Sequence, residues 1–333
     1  MSTFSTRRQF LAQMGAAAAA GAVLPTGPWL DAAQGEAPER SSRVIIARDD
    51  ALAGGSVDEH RDLLRKLLDG SMQRLSGAQD AAAAWRRWFK PTDRVGIKVN
   101  TLGHTTQPAV VDAVVAGLRL ADVPAENIII WDRFDSELDK AAFKLNRSAQ
   151  GVKCYGTDAE AVGSGYQSNV ETSGEIGSCY SRIIAEQIDA LISVPVLKDH
   201  SLAGVSLGMK NFYGAIHNPN KYHDHNCDPY VVDVVSHRFV RPRWRLTVCD
   251  ATRGQCHGGP MKNPGYAWPF GGLIIGTDFV AVDAVGADLL DGERKNRGLK
   301  LLADDKRPTN HIATAGARGL GVADLSRIER IEL

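Results

Sequence analysis

The stretch IDALISVPVLKDHSLAGVSLGMK, residues 188–210, decides the fold. Its first half, residues 188–197, is an almost continuous apolar run, which is typical of a strand buried on both faces of a sheet. Polar residues follow at once, beginning with Lys198, and a series of small residues then separates His200 from Lys210. The sequence therefore predicts a core strand that leads directly into the wall of a pocket.

Similar apolar runs alternate with helical patterns along the rest of the chain. Strands are predicted at residues 43–48, 93–100, 127–132, 244–250 and 272–278, and helices at residues 57–75, 108–120 and 279–290, the last with Asp278 as its N-cap. This alternation is typical of α/β proteins. The predicted fold is α/β, with parallel or mixed sheets flanked by helices, in two α/β halves near residues 43–150 and 180–333 with a cleft between them.

Composition excludes some classes of partner. Lysine plus arginine and aspartate plus glutamate both number 39, so no overall charge draws the protein to nucleic acid or to an anionic membrane. Hydrophobic residues make up 44% and charged residues 23% of the chain, which is ordinary for a globular protein. The five cysteines include no CxxC pair, so we expect no iron–sulfur cluster.

The N-terminus looks like a twin-arginine export signal. Residues 5–12, STRRQFLA, contain Arg7 and Arg8, and an uncharged run up to Leu24 follows. A membrane span needs about 20 apolar residues, so this run is too short to span, and we expect its removal rather than a stable membrane anchor. The sequence thus predicts a signal peptide in residues 1–35, the twin-arginine machinery as a partner, and a mature periplasmic or otherwise exported α/β domain in residues 36–333.

Polar residues follow the predicted strands, where ligands meet open parallel sheets. Capping of the next helix is the alternative for each of them, but two lysines at strand ends resist it, because the positive end of a helix repels an ammonium group. The predicted residues that bind a cofactor or ligand at these ends and in the neighbouring loops are Lys98, Asn100, His104, Lys198, Asn211 and Asp250.

The spacing around Lys210 predicts chemistry. A buried lysine has a lowered pKa and can serve as a base or an attachment point, and nearby glycines let a bulky group approach it. The alternative is a small-residue segment packed on the sheet, with the Lys210 ammonium in water. The predicted catalytic residues are His200, Lys210, Asp132 and Asp199.

The segment HNPNKYHDHNCDP, residues 217–229, is rich in potential metal ligands. Alternate residues of an extended segment share a face, so its imidazole and thiol groups would converge. Such ligands suit nickel, zinc or iron. An exposed polar loop without a metal is the alternative. The predicted metal ligands are His217, His223, His225, Cys227 and Asp228.

Four segments resemble the domain-of-unknown-function family 362. They are RVGIKVN, LISVPVLKDHSLAGVSLGMKNFYGAI, DFVAVDAVGADLL and the terminal ARGLGVADLSRIERIEL, and the resemblance covers residues 43–333. It implies an exported protein with no assigned activity. Family members are often joined to ferredoxin modules, and this sequence contains no such module.

The segment from His200 to Lys210 is also similar to lactate racemase and its relatives, which use a nickel-pincer nucleotide. Their pattern HxxAGxSxGxK is matched at every fixed position, and the likeness implies that Lys210 carries the cofactor. The chain departs from that family at Gln107, where those enzymes have arginine, and at Asp132 and Arg133, where a second catalytic histidine is expected.

Together these features predict an exported enzyme that depends on a metal or metallo-cofactor. We expect an isomerase or oxidoreductase reaction on a small carboxylate-bearing molecule, because the likeness to lactate racemase implies proton or hydride chemistry. The alternative is a non-catalytic periplasmic protein that binds a metal or another ligand. If Lys98, Asp132, His200 and Lys210 line one pocket, the enzyme is favoured; if only the histidine-rich segment clusters at the surface, the binding protein is favoured.

Overall fold

The computed structural model describes residues 41–161 and 163–333, so the predicted signal peptide lies outside the described residues. The described chain is built on a mixed sheet of eleven strands with helices on both faces, which confirms the predicted α/β class. Among the described residues, none of the helices has the length and apolar character required to cross a membrane.

The strands occupy the following residues: β1 Ser42–Arg48, β2 Val95–Val99, β3 Ile128–Trp131, β4 Lys153–Cys154, β5 Glu171–Ser173, β6 Ile176–Ser178, β7 Ala190–Val194, β8 Val196–His200, β9 Gly204–Val205, β10 Trp244–Gln255, β11 Ala267–Trp268, β12 Gly272–Gly276 and β13 Ile328–Glu332. The large sheet has the order β13-β1-β12-β10-β7-β2-β3-β4, with β11 beside β10, and with β8 between β10 and β9. Strands β10, β7, β2, β3 and β4 run parallel to one another, whereas β12 is antiparallel to both of its neighbours. β5 and β6 form a separate hairpin.

The helices are α1 Asp50–Ala53, α2 Arg61–Ser76, α3 Ala81–Arg86, α4 Pro108–Leu120, α5 Asp135–Lys140, α6 Tyr230–Ser236, α7 Phe279–Asn296 and α8 Asn310–Ala317. Helix α4 has the predicted bounds, because proline at its first position fixes a helical φ and needs no hydrogen-bond acceptor there. The carboxylate of Asp278 accepts from the backbone N–H groups of Val280 and Ala281, which confirms the predicted N-cap of α7.

Each face of the sheet carries its own apolar core. Neighbouring residues of β1 point to opposite faces, so Ile45 belongs to the core under α2 and α4, while Ile46 belongs to the core under α6 and α7. The strands of the two predicted halves lie in this one sheet, and the predicted cleft between two halves stays a prediction.

The stretch that was predicted as one strand forms two. Pro195 has no N–H to donate to a ladder, and pairing with β2 ends there: β7 pairs with both β2 and β10, whereas β8 pairs with β10 and β9. The carbonyl of Pro195 still accepts from the N–H of Asp250 at 2.8 Å. Beyond Pro195 the chain therefore continues beside the C-terminal part of β10 and no longer beside β2.

Candidate functional site

A pocket lies between the carboxyl ends of β2 and β3 and the chain that follows β8. Its water-accessible volume is about 160 Å³. One water needs roughly 10–15 Å³ by this measure, so the pocket admits a molecule with on the order of ten non-hydrogen atoms. Of the predicted site residues, the pocket brings together Lys98, Asn100, Asp132, His200, Lys210, Asn211 and His223. The four residues that favour the enzyme therefore line one cavity.

Lys98 and Asp132 form a buried ion pair in the pocket, with 2.5 Å between Nζ and Oδ1. Lys98 is 1% exposed, and its ammonium also donates to the carbonyl of Val99 at 2.7 Å and to Oδ1 of Asn211 at 3.2 Å. The other oxygen of Asp132 accepts from both the N–H and the hydroxyl of Thr101. Burial lowers the pKa of Lys98, and the charge of Asp132 opposes that change. The pair is thus rigidly oriented.

Two further charged residues adjoin this pair. Burial and then the nearby Asp132 carboxylate raise the pKa of Glu137, whose side chain accepts from the Thr101 hydroxyl at 3.2 Å. Arg133 is half-buried and lines the pocket, and in the described part of the chain its guanidinium forms no salt bridge with a carboxylate. Its Nε is buried without a hydrogen-bond partner there. Arg133 is therefore a cation available to an anionic ligand.

His200 ends β8 with a fixed protonation state. Its Nδ1 accepts from the backbone N–H groups of Leu202 at 3.1 Å and Ala203 at 3.2 Å, so the proton of the neutral ring lies on Nε2. Burial, followed by the charge of Lys210, lowers the pKa of His200 to about 2. His200 therefore presents a neutral hydrogen-bond donor at neutral pH.

Lys210 and His223 are in direct contact, with 3.1 Å between Nζ and Nε2. Nδ1 of His223 lies 3.1 Å from the carbonyl of Pro219 and donates to it, which leaves Nε2 as an acceptor facing Lys210. The Lys210 ammonium also lies 3.5 Å from the centre of the Tyr213 ring. Burial lowers the pKa of Lys210 to about 7, so both the amine and the ammonium are populated near neutral pH.

The pocket lies in a part of the chain that matches a known protein family. The model of the family described as Domain of unknown function (DUF362) matches residues 95–288. The chain belongs to this family. The matched range contains every pocket residue named so far, from Lys98 to His223, so the pocket lies within the DUF362 domain. A search among curated proteins found no match.

The small residues of this DUF362 chain between His200 and Lys210 accommodate the protein's own atoms. Gly204 has φ +76°, and a Cβ there would lie 2.5 Å from the carbonyl oxygen of Arg307. A Cβ on Gly208 would lie 2.9 Å from Oδ1 of Asp283, whose carboxylate accepts from the N–H groups of Gly208 and the next residue. These glycines are thus explained by close packing within the domain.

The pocket does not fit a nucleotide cofactor of the nickel-pincer kind. Pockets for drug-sized ligands, the size class of a nucleotide, occupy roughly 300–1,000 Å³, and this cavity has about 160 Å³. The space beside Gly204 and Gly208 is already filled by Arg307 and Asp283. The chemistry proposed below therefore uses the side chains of the DUF362 domain alone.

Lys198 lies outside this pocket, although the sequence predicted it to bind a ligand. Its ammonium is fully buried and donates to the carbonyls of Leu102 at 2.5 Å, His104 at 2.9 Å and Pro260 at 3.3 Å. All three of its protons are thereby used. Burial lowers its pKa to about 7. Lys198 therefore holds two loops together and has no donor left for a ligand.

Asp199, predicted to be catalytic, also holds loops. Its carboxylate is fully buried, and it accepts from Nη1 of Arg307 at 2.7 Å and from the N–H of Gly259 at 2.8 Å. It does not line the pocket. The alternation of side chains along β8 accounts for this, because Asp199 points away from the side on which His200 lies.

His104 and Asp250 likewise have structural partners. Nε2 of His104 lies 2.9 Å from the carbonyl of Arg253. The carboxylate of Asp250 accepts from the N–H of Gln107, immediately before α4, and from the N–H and hydroxyl of Thr252. Asp250 therefore fixes its own loop and the residue before α4, and it does not cap the next helix of the chain, whose N-cap is Asp278.

The predicted metal ligands are not gathered. The segment is not extended, because His225, Asn226 and Cys227 have φ values of +51°, +56° and +65°, so alternate side chains do not share a face. His217 and His225 are exposed, whereas Cys227 is buried. Asp228 accepts from the hydroxyl of Thr314, and only His223 reaches the pocket. Within residues 41–161 and 163–333, no three His, Cys, Asp or Glu side chains are grouped as metal ligands.

Sequence reasoning did not assign a site role to Glu137 or His311. His311 is fully buried on α8, and neither ring nitrogen has a hydrogen-bond partner among the described residues. Burial and then the charge of Lys210 lower its pKa to about 3. A lone histidine far along the chain has no local pattern that would place it near Lys210. Glu137, in contrast, lies only five residues after Asp132 in the sequence, and this spacing could have indicated its place beside the pocket.

Proposed function

We propose that this DUF362 protein is an enzyme that transfers protons on a small carboxylate-bearing molecule. The observation that carries the proposal is the convergence of Lys98, Asp132, His200, Lys210 and His223 on one cavity. Pockets that combine groups of shifted pKa with a free cation are typical of active sites. An isomerase-type reaction is the simplest use of such groups, because it needs no further reactant.

The roles follow from the contacts. Arg133 binds the carboxylate, because its guanidinium lines the pocket and its buried Nε has no hydrogen-bond partner among the described residues. The neutral amine of Lys210 takes a proton from the substrate, and Nε2 of His223, 3.1 Å away, accepts a hydrogen bond from the resulting ammonium. The Nε2 proton of His200 donates a hydrogen bond to charge that develops on the substrate. The Lys98–Asp132 pair holds the wall of the site in place.

Solvent-isotope exchange tests the proposal without a known substrate. We would incubate the purified protein in deuterated water with 2-hydroxy, 2-oxo and 2-amino acids and follow the carbon-bound protons by NMR. We expect catalysed exchange of at least one compound, and a loss of roughly 10²- to 10⁴-fold in Lys210→Met, since general acid–base catalysis contributes that much. Lys66→Met, at an exposed lysine of α2, is the matched control.

The same panel separates catalysis from binding alone. If no compound exchanges, but a carboxylate binds to the wild type and fails to bind to Arg133→Gln, the protein is a binding protein and the catalytic proposal is wrong. If neither exchange nor binding occurs with any carboxylate, both the reaction and the substrate class are wrong.

We also propose that the protein is exported by the twin-arginine pathway. The support is the Arg7-Arg8 pair and the uncharged run after it, which lie outside the described residues. Fractionation of bacterial cells tests the proposal: the wild type should reach the periplasm and the variant Arg7→Lys/Arg8→Lys should not. If the wild type and the variant are both found in the cytosol and neither reaches the periplasm, the export proposal is wrong.

A further inference from the structure

Apolar side chains are exposed on three loops next to the pocket. Leu102 is 47% exposed, Leu202 44% and Met261 59%. The other large hydrophobic residues of comparable exposure in the described chain are Val170, Leu301, Leu325 and Leu333. Scattered single residues of this kind are normal, whereas several around one pocket mark a binding surface.

The three loops contact one another. The N–H of His104 donates to the carbonyl of Pro260 at 3.4 Å, which joins the loop of Leu102 to that of Met261. The N–H of Ser201 donates to the carbonyl of Gly259 at 3.0 Å, which joins the loop of Leu202 to the same segment. The loops of Leu102 and Leu202 are thus both joined to the segment 259–261, and we call Leu102, Leu202 and Met261 the apolar rim.

Buried charges hold the rim in place. The Lys198 ammonium binds carbonyls of the first and third loops, and the Asp199 carboxylate binds the N–H of Gly259. A buried charged group that lost these hydrogen bonds would be left unpaired away from water, which is costly. Movement of the loops away from Lys198 and Asp199 is therefore unfavourable. Exposed apolar groups that are fixed in this way lose little entropy when a ligand covers them.

We infer that the substrate carries an alkyl or aryl chain beyond its carboxylate, and that this chain lies on the apolar rim. The inference rests on the proposed function. Leu102 and Pro260 also line the pocket, so the rim continues from the site that receives the carboxylate. The pocket volume of about 160 Å³ holds on the order of ten non-hydrogen atoms, so a longer molecule must extend out of the pocket and over the rim. Three side chains are too few for a protein partner, which needs roughly 800 Å² on each side.

Chain-length dependence of binding tests the inference. Straight-chain carboxylates from propionate to decanoate would be titrated into the full-length protein by calorimetry. Burial of one methylene favours binding by up to about fourfold, so we expect affinity to rise by roughly two- to fourfold per added carbon once the chain reaches the rim. The variant Leu102→Ser/Met261→Ser should lose this rise, so that its affinity no longer increases from propionate to decanoate. Val170→Ser, at an exposed residue of the remaining set, is the control.

The outcomes separate this inference from the proposed function. If propionate binds and longer chains bring no gain, or if the gain survives in Leu102→Ser/Met261→Ser, the rim inference is wrong while the proposed function stands. If carboxylates fail but straight-chain alcohols bind with the same length dependence, the rim inference stands and the carboxylate is wrong. If sedimentation shows a wild-type dimer that this variant abolishes, the rim is a contact between copies and the inference is wrong.

Discussion

Replacing Lys210 with methionine should stabilise the protein while it removes the proposed base. Lys210 is buried, and its folded-state pKa is about 7, against an ordinary value of 10.5. Between these pH values the unfolded chain binds a proton that the folded chain does not. The free energy of unfolding therefore rises with pH across this window. As the pH falls towards 7, protonation of the unfolded chain makes folding progressively less favourable.

The magnitude follows from the same two values. At about 1.4 kcal/mol per pH unit, the difference opposes folding by on the order of 5 kcal/mol at neutral pH. Methionine removes this cost but loses the contacts of the ammonium with His223 and with the Tyr213 ring, each worth about 1–2 kcal/mol. We expect Lys210→Met to raise the free energy of unfolding at pH 7 by about 2 kcal/mol.

Urea unfolding at several pH values between about 7 and 9.5 measures both quantities. Because the pKa values of Lys98 and Lys198 are also lowered, the variant keeps their contributions, and the slope of Lys210→Met should be smaller than that of the wild type by about 1.4 kcal/mol per pH unit. Lys66→Met should follow the wild type. A Lys210→Met variant that is less stable than the wild type at pH 7 and keeps the full slope would refute the reasoning.

Two further predictions concern packing and the ion pair. In Gly117→Ala the new Cβ would lie 2.0 Å from ring atoms of the buried Trp85, so overpacking of about 1–3 kcal/mol should exceed the helix-propensity gain of about 1 kcal/mol and lower the urea midpoint. Gly70→Ala on α2 meets no atom within 4 Å and should raise the midpoint. Asp132→Asn should cost about 3–5 kcal/mol of stability, because Lys98 is left buried without its counter-charge. Adding Lys98→Met should restore part of that loss, and strict additivity of the two changes in urea unfolding would contradict a coupled pair.

Most strands and helices are predictable from the sequence, because an apolar run or a proline influences the structure of the residues next to it in the chain. Helix α4 begins at Pro108 as expected, and β2 and β3 lie within their predicted ranges. The break at Pro195 was missed, because an apolar run shows burial but does not show that pairing with β2 ends there while pairing with β10 continues.

The site was predictable only in its location. Lys98 and Lys198 have the same local pattern, yet one lines the pocket and the other binds loop carbonyls, because those carbonyls come from distant segments. The turn at His225 could not be read from composition, and it separates the predicted metal ligands. His311 approaches Lys210 through packing of α8, which no local spacing encodes.

The position of β1 has a consequence for the order of folding. This strand, first in the described chain, pairs in parallel with β13 and antiparallel with β12, both of which are synthesised near the end. During translation β1 must wait as an unpaired strand, since neither neighbour exists yet. If the proposed export signal precedes β1, the signal is joined to a strand that can pair only after β12 and β13 have been synthesised. Insertion of β1 between β12 and β13 would then require synthesis of the chain as far as residue 332.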